Sequence, residues 1–386
     1  MDQTCFRTSH FVDAPATSPK WSQACCIACC ALALGACGGH SAPAVDAARQ
    51  ASLVGIGFIP GGTASQALAV SADGNVVVGS TQAASGELHA VRWSAEGGLL
   101  ELGRMPGGTF SSARAVSADG AIVVGEGDAL SATRAVFRWS AATGLVQLAS
   151  LANVALCVPG GVSGDGNVVV GTCLTTNNAA FRWTDASGMV SLGQFGGGSD
   201  RTSSALAIST DASVIAGAGH PVLNGAMLWS SNGTVSMLGR LAGDVSSSAT
   251  ATSRNGSVVV GYSVGQTGHA HAFLWTQLLG MTAAGTVPAG MTNTTPSAVS
   301  GDGQIIVGWG VAPQGDVALI WDTLHGTRSL EAALQSDYGF SASLQGWKLQ
   351  RATGLSSDGN TVVGYGINRA GQTEGWRIRF TPSMNN

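Results

Sequence analysis

The stretch Ala69-Val70-Ser71-Ala72-Asp73-Gly74-Asn75-Val76-Val77-Val78-Gly79 recurs, with small changes, six more times along the chain. Its turn residue falls at Asp73, Asp119, Asp165, Asp211, Asn255, Asp302 and Asp358, the first three steps being 46 residues each. A tryptophan follows each of them by 18 to 20 residues, at Trp93, Trp139, Trp183, Trp229, Trp275, Trp321 and Trp376. A chain made of such copies must stack or close them, because one supersecondary unit cannot bury its own apolar face.

The second unit shows the local physics. Ala113-Arg114-Ala115-Val116-Ser117 reads as a short strand. Ala118-Asp119-Gly120 is turn chemistry, since Asp bonds forward to its own backbone and Gly accepts a positive φ. Ile122-Val123-Val124-Gly125 is a β-branched run of buried-strand length. Ala135-Val136-Phe137-Arg138-Trp139 alternates, and Thr143-Gly144 turns the chain into Leu145-Val146-Gln147-Leu148.

Seven such units of four antiparallel strands predict an all-β, seven-bladed β-propeller over residues 53–386. A β-solenoid is the alternative, although its coils are shorter. The last unit ends at Trp376-Arg377-Ile378-Arg379-Phe380 without a fourth strand. Gly57-Phe58-Ile59-Pro60-Gly61-Gly62 parallels Gly103-Arg104-Met105-Pro106-Gly107-Gly108 at the end of unit one. An N-terminal strand completing the last blade is therefore expected, pairing two edges that would otherwise be exposed. Leu330-Glu331-Ala332-Ala333-Leu334 reads as a short helical excursion before blade seven. Asp211-Ala212 lacks the turn glycine and predicts an altered hairpin tip.

The motif, with His89-Ala90-Val91-Arg92-Trp93 and His271-Ala272-Phe273-Leu274-Trp275 behind it, resembles the HAF-type extracellular repeat. The resemblance covers roughly residues 53–382 and implies a bacterial exported all-β protein, without adding chemistry.

Only 10% of the 386 residues are charged, the net charge is -4, and Lys348 is the one lysine beyond residue 37. Phosphate contacts need more cations, so nucleic-acid binding is not expected. Residues 24–36 form an apolar run behind Lys20 and Trp21, too short to span a bilayer and suited to export. Its end, Leu34-Gly35-Ala36-Cys37, resembles the lipobox of bacterial lipoproteins. That resemblance implies a signal peptide over 1–36 and a lipid on Cys37; Gly38 after it implies sorting to the outer membrane. A plain cleaved peptide and a secreted protein are the alternative. Residues 37–52 are small and polar and read as a flexible tether.

Candidate chemistry is sparse. The seven turn residues could suggest calcium ligands or acids, but each unit carries one carboxylate where calcium needs six to eight oxygens. They read as structural turns, similar to the Asp-box of sialidase-like propellers. The repeated tryptophans read as inter-blade core, leaving Trp309 and Trp347 as candidate binding aromatics. His269 and His271 would share a face in a strand, but with His89 and His220 they have no carboxylate helper, so no metal and no cofactor is expected. Cys157 and Cys173 lie eight residues either side of Asp165 and would face each other across a hairpin, predicting a disulfide in an exported chain. Glu87, Glu126, Asp128, Asp200, Asp244, Asp316 and Glu374 are scattered, mostly in loops, and no catalytic motif appears.

The expectation is a monomeric, non-enzymatic, lipid-anchored envelope propeller that binds or scaffolds an envelope protein or carbohydrate and touches the membrane through its anchor only. A propeller hydrolase or lyase acting on glycans or other polymers is the alternative.

Overall fold

The computed structural model describes residues 50–381 apart from 131, 153, 155, 175–177, 194–201, 221–224, 341–343 and 345. The expected signal peptide, Cys37 and the tether up to residue 49 lie outside the described residues.

Seven sheets of four antiparallel strands follow one another. Six take their strands in chain order; the seventh joins Lys348–Leu355, Thr361–Ile367 and Thr373–Thr381 to the N-terminal strand Gln50–Gly55. That outer strand pairs from Gln50↔Thr381 to Gly55↔Trp376. The chain is thus a seven-bladed propeller closed by its own N-terminal strand, not a solenoid. The strand begins at Gln50, three residues inside the stretch expected to be tether.

Seven apolar clusters fill the seven interfaces between blades. Val76 and Val78 of blade one, for example, pack with Val123, Phe137 and Trp139 of blade two. The second strand alternates faces: Val77 meets blade seven, whereas Val78 meets blade two. Trp93, Trp139, Trp183, Trp229 and Trp321 are buried at these seams.

Trp376 is not the seventh equivalent. Trp93 pairs with Val77, and the matching pair in blade seven is Val362↔Ile378. Trp376 sits opposite Gly364, where Phe137 and Phe181 sit opposite Gly125 and Gly171. The last blade keeps a large ring in its core but moves it one inward-facing position along the strand.

A β-bulge interrupts the inner strand of every blade. The extra residues are Leu68, Arg114, Gly160, Leu206, Thr250, Ser297 and Thr353, with a further bulge at Gln350. The glycine that ends each Val-Val-Gly run explains them. A Cβ on Gly79, Gly125, Gly171, Gly217, Gly261, Gly308 or Gly364 would lie 1.9–2.2 Å from an inner-strand carbonyl oxygen. Only glycine lets the bulged strand approach that closely.

The helix Leu330–Tyr338 is capped by Ser329, whose side chain accepts from Ala332 N, and by left-handed Gly339. Its Leu330, Ala333 and Leu334 pack against Ala51 and Leu53 of the closing strand, filling the seam between blades six and seven.

Candidate functional site

The propeller has two ends. One carries the Ser-x-Asp-Gly turns and is called the turn face; the other carries the hairpin loops between second and third strands and is called the loop face.

On the turn face each motif is a closed hydrogen-bond unit. The buried Ser117 Oγ donates to Asp119 Oδ1 at 2.5 Å and accepts from Ile122 N at 2.9 Å, while Ala121 N donates to the same Oδ1 at 2.9 Å. In blades one, three and seven an asparagine amide also donates to the second oxygen, from Asn75, Asn167 and Asn360. The serine hydroxyl bond is the largest cause holding Asp119, Asp165 and Asp302 below the ordinary carboxylate range. At Asp73, Asp211 and Asp358 partial burial pushes upward, but serine and backbone donors outweigh it. Ionised carboxylates already engaged with their own turns are poorly placed to donate a proton.

Asp211-Ala212 does not alter the tip. Ala212 takes φ 59°, the hand of the glycines elsewhere, and the serine, carboxylate and backbone bonds are retained. Its methyl joins the core cluster containing Val168.

The residue between Ser and Asp links the blades, with Asp211 as the donor in blade four. Ala72 N donates to Ala118 O at 3.0 Å, Ala118 N to Gly164 O at 2.9 Å and Gly164 N to Thr210 O at 2.8 Å. Asp211 N donates to Arg254 O at 3.4 Å, Arg254 N to Gly301 O at 3.3 Å, Gly301 N to Ser357 O at 2.8 Å and Ser357 N to Ala72 O at 3.0 Å. Seven backbone bonds therefore join the blades in a closed hoop around the channel, looser where blade five meets its neighbours. A cavity of about 160 Å³ lies at the hoop, lined by two residues of every blade. Arg254 is exposed on the turn face, beside the wide mouth that Asp73 and Asp358 also line.

On the loop face most of the scattered acids are engaged. Glu126 is not in a loop: it lies in the second strand of blade two, buried, with both Arg114 Nε (3.0 Å) and Nη2 (2.5 Å) on Oε1. Asp128 accepts from Thr109 N and Phe110 N, Asp244 lies 3.4 Å from His271 Nδ1, and Glu374 accepts from Asn368 and Gly57 N. Asp316 Oδ2 takes Arg351 Nε at 2.5 Å, and the same guanidinium lies 3.9 Å from the Trp309 ring centroid.

Trp309 is not isolated. It follows the bulge-facing glycine of blade six, and the matching residues are Ser80, Glu126, Thr172, Ala218, Tyr262 and Tyr365. Blades five, six and seven thus carry Tyr262, Trp309 and Tyr365 at one repeat position, all partly exposed. Each lies two residues beyond a core residue that meets the following blade, Val260, Val307 and Val363 respectively, so each ring points to that seam. The result is an aromatic arc over three adjacent blades, with Arg351 stacked on its middle ring. Sequence reasoning picked out Trp309 and missed its companions; reading down the column after Val-Val-Gly would have found them.

Trp347, the other candidate aromatic, is partly buried against the core between blades six and seven. His269 precedes its strand, which starts at Ala270, so it does not share a strand face with His271. His89 is buried, with Nδ1 2.7 Å from Glu101 Oε1. The side chain of His220 lies outside the described residues, as does Asp200. Among the described residues no three His, Cys, Asp or Glu side chains converge as metal ligands would.

Cys157 and Cys173 pair directly across the first two strands of blade three and form a disulfide. Cys157 stands where five of the other inner strands place Ser65, Ser111, Ser203, Ser247 and Thr294, and blade seven places Leu349. Those hydroxyls clamp adjacent blades, as when Ser111 Oγ accepts from Ala90 N and donates to Gly103 O. The bridge takes that position within blade three, where no hydroxyl stands to clamp it to blade two.

No family model matches the chain, and no curated protein matches it. Among solved structures, the chain is similar to a protein assigned as TolB from Agrobacterium tumefaciens, with 12% identity and a TM-score of 0.45, covering 74% of this chain and 94% of that one. It is also similar to TolB from Acinetobacter baumannii, with 13% identity and a TM-score of 0.45, covering 65% of this chain and 61% of that one.

Proposed function

We propose that the protein is a non-enzymatic binding propeller of the cell envelope, held there by a lipid on Cys37, which takes an envelope glycan or protein on its loop face. The aromatic arc carries this reading. Three of seven blades replace small or polar residues by partly exposed rings at one repeat position, and exposed rings stack on sugars or on apolar side chains. The arginine fixed on Trp309 by Asp316 adds a preset cation beside the arc. Two further observations support the reading. The turn-face carboxylates are engaged in their own turns, and the disulfide fits an oxidising compartment.

Titration of the propeller, residues 46–386, with envelope glycan fragments and solubilised envelope proteins tests it by tryptophan fluorescence. Saturable quenching that disappears in Trp309→Ala/Tyr365→Ala is expected. Cleavage of a glycan or other polymer by the propeller would overturn it in favour of a hydrolase or lyase. Labelling with radioactive palmitate that is lost in Cys37→Ala tests the anchor separately.

A further inference from the structure

The hairpin tips joining third and fourth strands also lie on the turn face, since Thr276 pairs with Val258 and Asp322 with Ile305, just after the turns. In blades one to four these tips carry Ala95-Glu96-Gly97, Ala141-Ala142-Thr143, Asp185-Ala186-Ser187 and Ser231-Asn232-Gly233. Blades five and six carry Gln277-Leu278-Leu279 and Thr323-Leu324-His325 instead. Leu278 is 91% exposed, Leu279 67% and Leu324 81%. Between the two blades opens an apolar cavity of about 200 Å³ lined by Leu274, Ala284, Ile306 and Trp321. No core packing accounts for leucines at these tips, which project beyond the sheets.

We infer that this sector of the turn face rests on a lipid bilayer, with Leu278, Leu279 and Leu324 inserted at the headgroup–acyl boundary. Two observations select a membrane as the occupant. First, the closing strand starts at Gln50, paired with Thr381 at the turn-face end of blade seven, so the preceding chain leaves from this same face. Cys37 stands only the twelve residues 38–49 further upstream. Second, the charge pattern of the turns breaks at blade five, while blade six beside it keeps Asp302. Blade five is the one with Asn255 in place of the carboxylate, and its exposed Arg254 is the only cation at the Ser-x-Asp position. Behind Leu278 and Leu279 the turn is neutral to basic and suits anionic headgroups, which the carboxylate turns of the other blades, Asp302 behind Leu324 included, do not attract. The orientation follows: the aromatic arc faces away from the bilayer. This inference deepens the proposed anchoring, yet it does not need the Cys37 lipid for its test.

The propeller is a compact unit from Asp46 onward. Residues 46–386 carrying an N-terminal histidine tag are attached to phosphatidylethanolamine–phosphatidylglycerol vesicles through a nickel-chelating lipid, and one environment-sensitive fluorophore is placed on Leu324→Cys. The control position is Leu130→Cys, 87% exposed on the loop face. The label at 324 is expected to shift to the blue and to be quenched by spin-labelled lipid, and the label at 130 is not. Adding Leu278→Ser and Leu279→Ser should abolish the shift at 324. Equal solvent exposure of both labels on vesicles, or burial of 130 instead, overturns the inference. Because the tag replaces the anchor, failure here is distinct from failure of palmitate labelling at Cys37.

Discussion

Three glycine-to-alanine substitutions separate the physical reasons for glycine in this repeat. Gly98 has φ 64° and nothing within 4 Å of an added Cβ, so Gly98→Ala tests backbone hand alone. A left-handed alanine there costs about 1 kcal/mol once the stiffer unfolded chain is counted. Gly217 lacks the positive φ, but its Cβ would sit 1.9 Å from Ser204 O in the bulged inner strand. The strands must part by roughly 1.5 Å to restore a van der Waals contact, losing about two ladder bonds at ~1 kcal/mol each plus ~1–3 kcal/mol of overpacking. Gly217→Ala is therefore expected to cost about 3–5 kcal/mol. Gly256 combines φ 74° with a Cβ 2.5 Å from Val214 Cγ2 of the preceding blade. A side chain yields more readily than backbone, so Gly256→Ala is expected to cost about 2–4 kcal/mol. Urea unfolding of residues 46–386, followed by tryptophan fluorescence, reads the order as falling midpoints. A Gly217→Ala midpoint no lower than that of Gly98→Ala would refute the bulge as the reason for this glycine.

Other outcomes follow from the same geometry. The Cys157–Cys173 bridge closes a separation of 16 residues, so reduction should lower stability by about 3 kcal/mol, and equal oxidised and reduced midpoints would contradict this. Cys157→Ser/Cys173→Gly, which copies Ser111 and Gly127 of blade two, should recover about 1 kcal/mol relative to Cys157→Ala/Cys173→Ala. Ser117→Ala removes a donor to Asp119 and an acceptor for Ile122 N; it should cost about 1–3 kcal/mol, with the Asp119 carboxyl moving back toward its ordinary value in an NMR titration. Arg328 bonds hold Asp337 down to about 2 from 3.8. A depressed folded-state value means the pair's contribution is complete above about pH 4 and is lost as pH falls toward 2. Solvent screening limits it to about 1 kcal/mol, and Asp337→Asn should flatten stability across that window in acid titrations followed by circular dichroism.

The architecture was legible because the unit repeats and its ends complement each other. A period of 46 residues, four strand signals per period and an unpaired strand at each terminus leave few closed arrangements. The disulfide was legible for a related reason: equal spacing about a hairpin tip fixes register. What escaped were features that appear only on comparing copies column by column. Trp376 matched the spacing of the other tryptophans, yet pairing assigns their position to Ile378. Ala212 seemed to break the turn, but the serine and carboxylate bonds hold it in the left-handed conformation. Tyr262 and Tyr365 look like ordinary strand residues until bulge register aligns them with Trp309. Glu126 reads as one of several scattered acids because nothing local announces that Arg114, a bulge residue twelve positions earlier, will bond it.

The central claim is that the copies share architecture while the arc over blades five to seven binds. A photo-crosslinking amino acid at Tyr365, with a second protein carrying it at Asn167 on the turn face, tests this in intact envelopes. A discrete glycan or protein adduct is expected from position 365, lost on adding Trp309→Ala, and none from 167. The same adduct from both positions, or one from 167 alone, would contradict it.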